Sequence, residues 1–541
     1  MSTKKIAKII FSFLIIFPFL TFSQEKKVPE FRGVWVTTVK MLDYPSKRNL
    51  SSEQLKAEYI RIADSCLAIG ANAIIFQIRP AADAFYDSPY ELWSEWLTGR
   101  QGRAPDPYFD PLEFMIEETH KRGMEFHAWI NPYRAIATTG HANIAPNHIT
   151  KLKPQWFFDY DVNRYFDPGI PEARQYIVMI ISDIVRRYDI DGIHFDDYFY
   201  PYPVRNEQNQ IIDIPDYNTY KKYGKGFSNI KDWRRNNINM LVMEVHDSIQ
   251  AIKPWVRFGI SPPGVWRNKG YDPEGSATLG LAAYDWLYAD VLLWLQHRWV
   301  DYVAPQLYWE IGHPRADFNV LVNWWDKHTY GVDLYIGLNI NGIDATRQKK
   351  DWGNPNQVPR QIQIANSYSS VKGFILYRYG GLSKNPLGIK DSLRNNYFKV
   401  DSQQVILAQN SVVVDTHTYV IELDTSSFVV DSEIDTIAPK PPINVEKFRI
   451  GNQITIVWDD FDGNISFSDT SNFFIVYAFE GKKIPETLNS SLRYKVVFEN
   501  HMSFERQNKW QIFGKIYTFV VTAVDNAANE SKPSKPVYIR L

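Results

Sequence analysis

The feature that most limits what this chain can become is an alternation of two periodicities. From residue 30 to about 395, short apolar runs of strand length alternate with longer amphipathic stretches of helical spacing. The strand candidates are 31–39 (FRGVWVTTV), 73–79 (AIIFQIR), 125–132 (EFHAWINP), 192–198 (GIHFDDY), 256–262 (VRFGISP), 302–309 (YVAPQLYW), 334–341 (LYIGLNIN) and 373–379 (GFILYRY). Helical patterns lie between them, among them 52–69, 111–122, 171–188, 233–252 and 359–369. Serial βα units of this number predict an α/β fold, a (β/α)8 TIM barrel spanning residues 28–398 with enlarged loops. A doubly wound sheet would carry a glycine-rich phosphate turn after an early strand, and the chain has none.

In such a barrel one face of each strand meets the helices and the other points inward, with polar inward residues gathering near the C-terminal mouth. Period-2 reading places Ile193 and Phe195 against the helices and His194 and Asp196 inside. Asp197 then falls on the opposite face from Asp196. The same reading puts Trp129 and Asn131, Gln77 and Arg79, Gln306, Tyr308 and Glu310, and Asn339 inside. Polar side chains therefore collect at one rim.

After residue 395 the helical period disappears. Residues 399–436 read as a β-rich extension or linker, and 437–541 as a β-sandwich with Trp458 in an early strand, Tyr477 in a middle one and Tyr517 in a late one. At the other end, Lys4, Lys5 and Lys8 precede an apolar run from Ile9 to Phe22, too short for a typical span, with Thr21 and Ser23 before a polar QEKK. This is the pattern of a signal peptide over 1–23, so the mature chain is expected to be exported, periplasmic or at the cell surface, without a membrane span. The net charge of −1 argues against nucleic acid as a partner, and the single cysteine, Cys66, excludes an intramolecular disulfide. Cys66 lies in a helical pattern and is expected to be buried. A monomer without cofactor or metal is expected.

The stretch DIDGIHFDDYFYP, residues 189–201, holds the chemistry. A buried strand has no structural use for two adjacent carboxylates at its tip, whereas glycoside hydrolysis needs one protonated and one ionised carboxyl beside aromatic faces. The first pair is Asp196, as the ionised group near Arg79, and Glu310, as an acid raised by burial beside Tyr308 and Trp309. Asp197 is the third candidate, because a one-residue bulge would exchange it with Asp196. An internal salt bridge is the plain alternative for Asp196, and an ordinary rim position for Glu310. Substrate contacts are expected from Gln77, Arg79, Asp83, Trp129, Asn131, Tyr133, Arg134, His194, Gln306, Tyr308, Trp309, Asn339 and Tyr377.

EFRGVWVTTV, AIIFQIRPAADAFY, FHAWINPYR, DGIHFDDYFYP, ISPPGVWRN and YVAPQLYWE together resemble the bacterial glycosyl hydrolase-like ten family over roughly residues 28–390. The resemblance implies a barrel related to the amylase and chitinase superfamilies and a cell-envelope glycosidase, some members acting on peptidoglycan glycan strands stripped of stem peptides. It also puts Asp196 where amylase-type barrels carry their fourth-strand aspartate. Tyr198 stands where a chitinase would have its catalytic glutamate, a departure that counts against substrate-assisted chitinase chemistry. The C-terminal region, with its late TAVDNAANESKPS, resembles a fibronectin type III domain, a spacer or docking unit. The competing readings are a glycan-binding protein on an inactive barrel and a metal-dependent polysaccharide deacetylase. The deacetylase would need closely spaced histidine ligands, and His120 and His127, like His141 and His148, are too far apart in sequence. No G-x-S-x-G elbow supports serine catalysis.

Overall fold

The structure is a computed structural model. It describes residues 30–139, 144–347, 352–398, 440–450, 453–459, 473–482, 493–497, 501–505, 516–524 and 531–540. The signal segment and the 399–436 extension lie outside the described residues. The chain divides into two compact units, residues 1–416 and 417–541.

The first unit is a closed barrel. Its strands are β1 (Phe31–Val36), β2 (Ala73–Arg79), β3 (Glu125–Ile130), β7 (Gly192–Phe195), β8 (Arg257–Ile260), β9 (Tyr302–Val303), β10 (Asp333–Asn339) and β11 (Val371–Tyr377), eight in order β1-β11-β10-β9-β8-β7-β3-β2. Every pairing around the ring is parallel. Inserted after β3 is a small antiparallel sheet of β4 (Arg134–Ile136), β5 (Phe157–Tyr160) and β6 (Asn163–Phe166), in order β4-β6-β5.

The helices follow their local chemistry. Helix Ser52–Ala68 starts on a capping box in which Ser51 and Gln54 satisfy each other's backbone N–H. Helix Pro171–Arg187 opens on proline, ends on Arg186 and Arg187, and buries the stripe Ile177, Ile180, Ile181, Ile184 and Val185. These apolar faces and the outward strand residues Phe126, Ala128, Ile130, Ile193 and Phe195 form one large core. Cys66 sits in it, its thiol pushed up to about 12 by burial. A second, smaller cluster fills the barrel: Phe31, Trp35, Ala73, Ile75, Trp129, Tyr302, Ala304, Tyr335 and Ile375. The inward and outward assignments made from alternation on β3 and on β7 up to Phe195 are borne out.

Bulky interior side chains need room that glycine supplies. A Cβ on Gly259 would come within 1.9 Å of the Tyr302 ring, and one on Gly192 within 2.4 Å of His127 Nδ1. Tyr302 Oη lies 2.9 Å from both His127 Nδ1 and His194 Nδ1, and Trp35 Nε1 donates to His194 Nε2 at 3.1 Å. Because Nε2 accepts, the His194 proton is on Nδ1 and points at Tyr302. Burial, with His127 adding to it, holds His194 well below the usual histidine range, so His194 is neutral.

The second unit has two antiparallel sheets. One, in order β12-β13-β16, joins β12 (Ile443–Ile450), β13 (Gln453–Asp459) and β16 (His501–Glu505); the other, in order β15-β14-β17-β18, joins β14 (Phe473–Glu480), β15 (Arg493–Val497), β17 (Ile516–Val524) and β18 (Val537–Arg540). Ile454, Ile456, Trp458 and Met502 of the first sheet share a core with Phe474, Val476, Phe519 and Val521 of the second, which makes the unit a β-sandwich.

Candidate active site

The mouth is organised by the ends of β3 and β7. At β3, the last inward residue, Trp129, directs its indole N–H at Asp196 Oδ2, 3.0 Å away. Asn131 follows. Its Oδ1 accepts from Arg134 N at 2.9 Å, and its amide donates to both Asp196 oxygens at 3.2 and 3.1 Å. At β7 the strand stops at Phe195. Asp196 Oδ1 then accepts from Tyr198 N at 3.1 Å, an Asx-type turn that bends the chain away from the strand direction.

That turn corrects one expectation. Strand alternation holds only while the ladder continues, so it does not carry past Phe195. Asp197 is not turned away from Asp196. Both aspartates are buried, both feel the Arg134 guanidinium, and both add to the upward shift of the Tyr308 and Tyr377 phenols. Asp197 accepts from the Tyr202 hydroxyl and from the Gln306 amide, and the same amide donates to Ser261 O at 2.9 Å.

Electrostatics sets the proton count. Burial raises Asp196 to about 7, with the charge of Asp197 as the next cause; Arg134, Tyr198 N–H and Trp129 N–H oppose the rise. Burial likewise raises Asp197, against the hydrogen bonds from Tyr202 and Gln306. Two such carboxyls lose their protons in separate steps that belong to the pair. The surroundings decide which oxygen keeps the last proton. Every hydrogen-bond partner of Asp196 is an N–H donor that cannot accept, so a proton there would face other protons. Asp197 has a hydroxyl partner, which can turn and accept. The N–H donors favour the ionised form of Asp196, whereas the Tyr202 hydroxyl, which donates to Asp197 here, can serve either form of that carboxyl.

Aromatic rings wall this pair. Tyr198 and Tyr202 meet edge to face at 5.5 Å, Tyr308 stacks on Tyr377 at 5.3 Å, and the Arg134 guanidinium lies 4.9 Å from the Tyr198 ring centre. Tyr198, Tyr202, Tyr308 and Tyr377 all remain partly exposed, as a sugar-binding rim requires.

Several residues expected to touch substrate are used otherwise. Arg79 is wholly buried and makes two 2.7 Å bonds to Glu91, besides donating to Asn131 O at 2.6 Å. A register shift between Gln77 and Arg79 along β2 accompanies this, so the cation beside Asp196 is Arg134. Gln77 is buried, its Oε1 accepting from Thr38 N and Val39 N to hold the loop after β1. Tyr133 is fully buried in the helix-side core, and His194 belongs to the interior layer. Trp129 and Asn131 reach the site through Asp196. Trp309 packs against the helix-side core, and Asn339 closes β10, partly exposed. Glu310 is partly buried in the loop after β9 and is not among the groups that shift the two aspartates most. Asp83 lines a separate cleft beside the mouth.

Sequence reasoning missed Glu91 and Tyr202. Glu91 had no signal, being twelve residues from Arg79 on an irregular loop. Tyr202 lay in the aromatic run after Asp197 and could have been singled out there. Three of the four histidines weighed as metal ligands have protein partners, and His141 lies outside the described residues: His120 Nε2 meets Asp191 at 2.8 Å, His127 Nε2 meets Glu125 at 2.9 Å, and His148 Nε2 meets Ala82 O at 2.8 Å.

A parallel barrel with a buried carboxyl pair at its C-terminal mouth, ringed by tyrosines, is the framework of a carbohydrate-cleaving enzyme. The sequence model of the glycosyl hydrolase-like 10 family matches residues 30–354. The chain is 41% identical over 537 residues to glycosyl hydrolase YngK of Bacillus subtilis (strain 168), covering 98% of this chain and 97% of that protein. It is 37% identical over 376 residues to glycosyl hydrolase DigH of Escherichia coli (strain K12), covering 65% of this chain and 84% of that protein. Among solved structures, the PgaB (BpsB) glycoside hydrolase domain from Bordetella bronchiseptica aligns with 68% of this chain and 98% of its own length, at 13% identity and a TM-score of 0.43. The protein is a glycosidase, and it belongs to the glycosyl hydrolase-like 10 family. Membership favours hydrolysis over the binding-only and deacetylase alternatives.

Proposed function

We propose that the protein is an exported glycosidase that cleaves a cell-envelope polysaccharide, with peptide-free peptidoglycan glycan strands as the substrate, by a two-carboxylate mechanism. The observation that carries this reading is the Asp196–Asp197 pair at the barrel mouth, whose burial raises both carboxyls and favours retention of a proton. Asp197 donates that proton to the glycosidic oxygen as the bond to the anomeric carbon breaks. Asp196, held by N–H donors from Trp129, Asn131 and Tyr198, faces the positive charge that develops at that carbon, and a water molecule then bonds to the carbon and returns a proton to the carboxyl pair. Glu310, first expected as the acid, takes a place at the rim as a substrate contact. The tyrosine wall supports binding of a sugar ring.

Export rests on the signal-like N-terminus. The C-terminal sandwich, with Trp458 in an early strand and Tyr517 in a late one, fits a fibronectin type III-like spacer or docking unit, and the enzyme acts as a monomer.

The test is incubation with peptide-free peptidoglycan strands, chitin oligosaccharides and starch, with products identified by mass spectrometry. Release of glycan fragments from the stripped strands is expected. Asp196→Asn and Asp197→Asn are each expected to abolish it while leaving binding intact. No release from any of the three would refute the reading.

A further inference from the structure

Asp197 and Gln306 meet at the barrel mouth on unequal footings. β7 ends at Phe195, so no ladder bond fixes the backbone of Asp197; its carbonyl accepts instead from Phe199 N, 3.1 Å away in the same loop. Gln306 follows β9, yet the ladder continues through it. Its N–H donates to Pro262 O at 3.0 Å, and it bridges in parallel to Pro263 on one side and to Gly337 on the other. Gly337 N donates to Pro305 O and Leu307 N to Gly337 O, both at 3.0 Å. The backbone at Gln306 is thus held from both neighbouring strands, while that of Asp197 is held from neither.

The Gln306 side chain carries this rigidity to the carboxyl. Ser261 O can only accept, and it takes an N–H from the Gln306 amide at 2.9 Å, so the NH2 side of the amide faces it. The second N–H serves Asp197. Ser261 is buried, and its own N–H donates to Phe195 O at 2.8 Å, which ties the amide to the last strand residue before the aspartates. The other hydrogen-bond partners of the Asp197 carboxyl are its own N–H and the hydroxyl of Tyr202, five positions on. Both belong to the loop that carries Asp197 and shift with it. Gln306 is the partner that refers the carboxyl to the barrel.

We propose that Gln306 is the positioning residue of the acid: it holds the Asp197 carboxyl at one place on the rim, where the glycosidic oxygen has to arrive. The inference rests on the reading of Asp197 as the proton donor. Once the proton has passed to the leaving oxygen, the same N–H meets the carboxylate left behind. A misplaced donor costs rate and spares binding, because the proton moves only as the bond breaks.

The test compares two leaving groups on the full-length chain. One substrate is whichever glycan the three-substrate assay finds cleaved, whose sugar leaving group needs a proton. The other is a dinitrophenyl glycoside of the same sugar unit, whose leaving group departs as the phenolate without one. Gln306→Leu is expected to lower kcat/KM about a hundredfold on the glycan, through kcat with KM nearly unchanged, and only a few fold on the aryl glycoside. Partial unfolding would lower both rates alike, so the contrast itself excludes it. An equal loss on both substrates, or no loss on the glycan, overturns the positioning role. An equal loss on both in Asp197→Asn refutes Asp197 as the acid instead. Isotope-edited NMR of labelled aspartate carboxyls, with Asp197→Asn to identify the resonance, reads the contact whether or not any glycan is cleaved. The Asp197 titration is expected about one unit higher in Gln306→Leu, since a donor to the charged form is gone; an unmoved titration refutes the contact.

Discussion

Replacing Trp129 by Phe removes a single N–H from Asp196 and keeps an aromatic ring in the barrel interior. That N–H is 3.0 Å from Oδ2, and both residues are buried. A hydrogen bond to a charged group contributes about 1.5–3 kcal/mol. Only the ionised carboxylate gains it in full. At about 1.36 kcal/mol per pKa unit, its loss raises the Asp196 pKa by roughly 1–2 units. Asp196 must be ionised to act, so the acid limb of the kcat/KM pH profile is expected to move up by at least about one unit. The basic limb, set by the proton on Asp197, is expected to stay nearly in place. The bell narrows from its acid side, and activity lost at low pH returns in part as pH rises. Asn131→Ala removes donors from both oxygens and should act in the same direction. A thermal melt reads the packing defect separately, because a cavity cost does not follow the titration. An unmoved acid limb, with activity lowered equally at every pH, would refute the assignment of Asp196 as the ionised member.

Tyr202→Phe removes the hydroxyl that lowers Asp197, so its basic limb is expected to rise by about one unit, read from the same kcat/KM profile. Glu91→Gln strands the wholly buried Arg79 charge and is expected to cost about 3–5 kcal/mol in urea unfolding, whereas Arg79→Met with Glu91→Leu recovers most of it. Unchanged KM in that double variant would agree with a structural Arg79, and a large rise in KM would not. Asp83 is raised by burial from 3.8 to about 7, so the folded state keeps a proton that the unfolded state has already lost. Stability contributed by this group is thus full below about pH 4 and falls by about 4 kcal/mol as pH climbs to about 7. Asp83→Asn is expected to remove that slope from the difference between denaturant melts at pH 4.5 and 8 (approximate settings on either side of the titration); parallel slopes in the two proteins would refute it.

The barrel was legible because its signals are local. Period-2 runs and capped amphipathic helices each depend on a few neighbouring residues, and Ser51 with Gln54 or Pro171 with Arg187 carry them without help from the rest of the chain. The same locality placed Trp129 and His194 inside while Phe126 and Ile193 faced the helices. Within the site, the two carboxyls and the aromatic run at a strand tip marked Asp196 and Asp197 and pointed to sugar chemistry. Where a side chain chose among distant partners, no local pattern could decide. Arg79 was read as a mouth cation because its strand position pointed inward, yet it answers to Glu91 and leaves Arg134 to serve the aspartates.

Local patterns were therefore enough for the order of elements, the faces of the strands and the carboxylate-bearing tip at residues 196–197. That Asp197 joins Asp196 instead of opposing it came from folding. Alternation exists because ladder hydrogen bonds hold each residue in extended geometry, and those bonds end at Phe195. Beyond that point the turn made by Asp196 on Tyr198 N–H, the clamp of Trp129 and Asn131, and the Tyr202 hydroxyl set the geometry. Those contacts reach across as many as 67 positions of chain, and only folding brings them together.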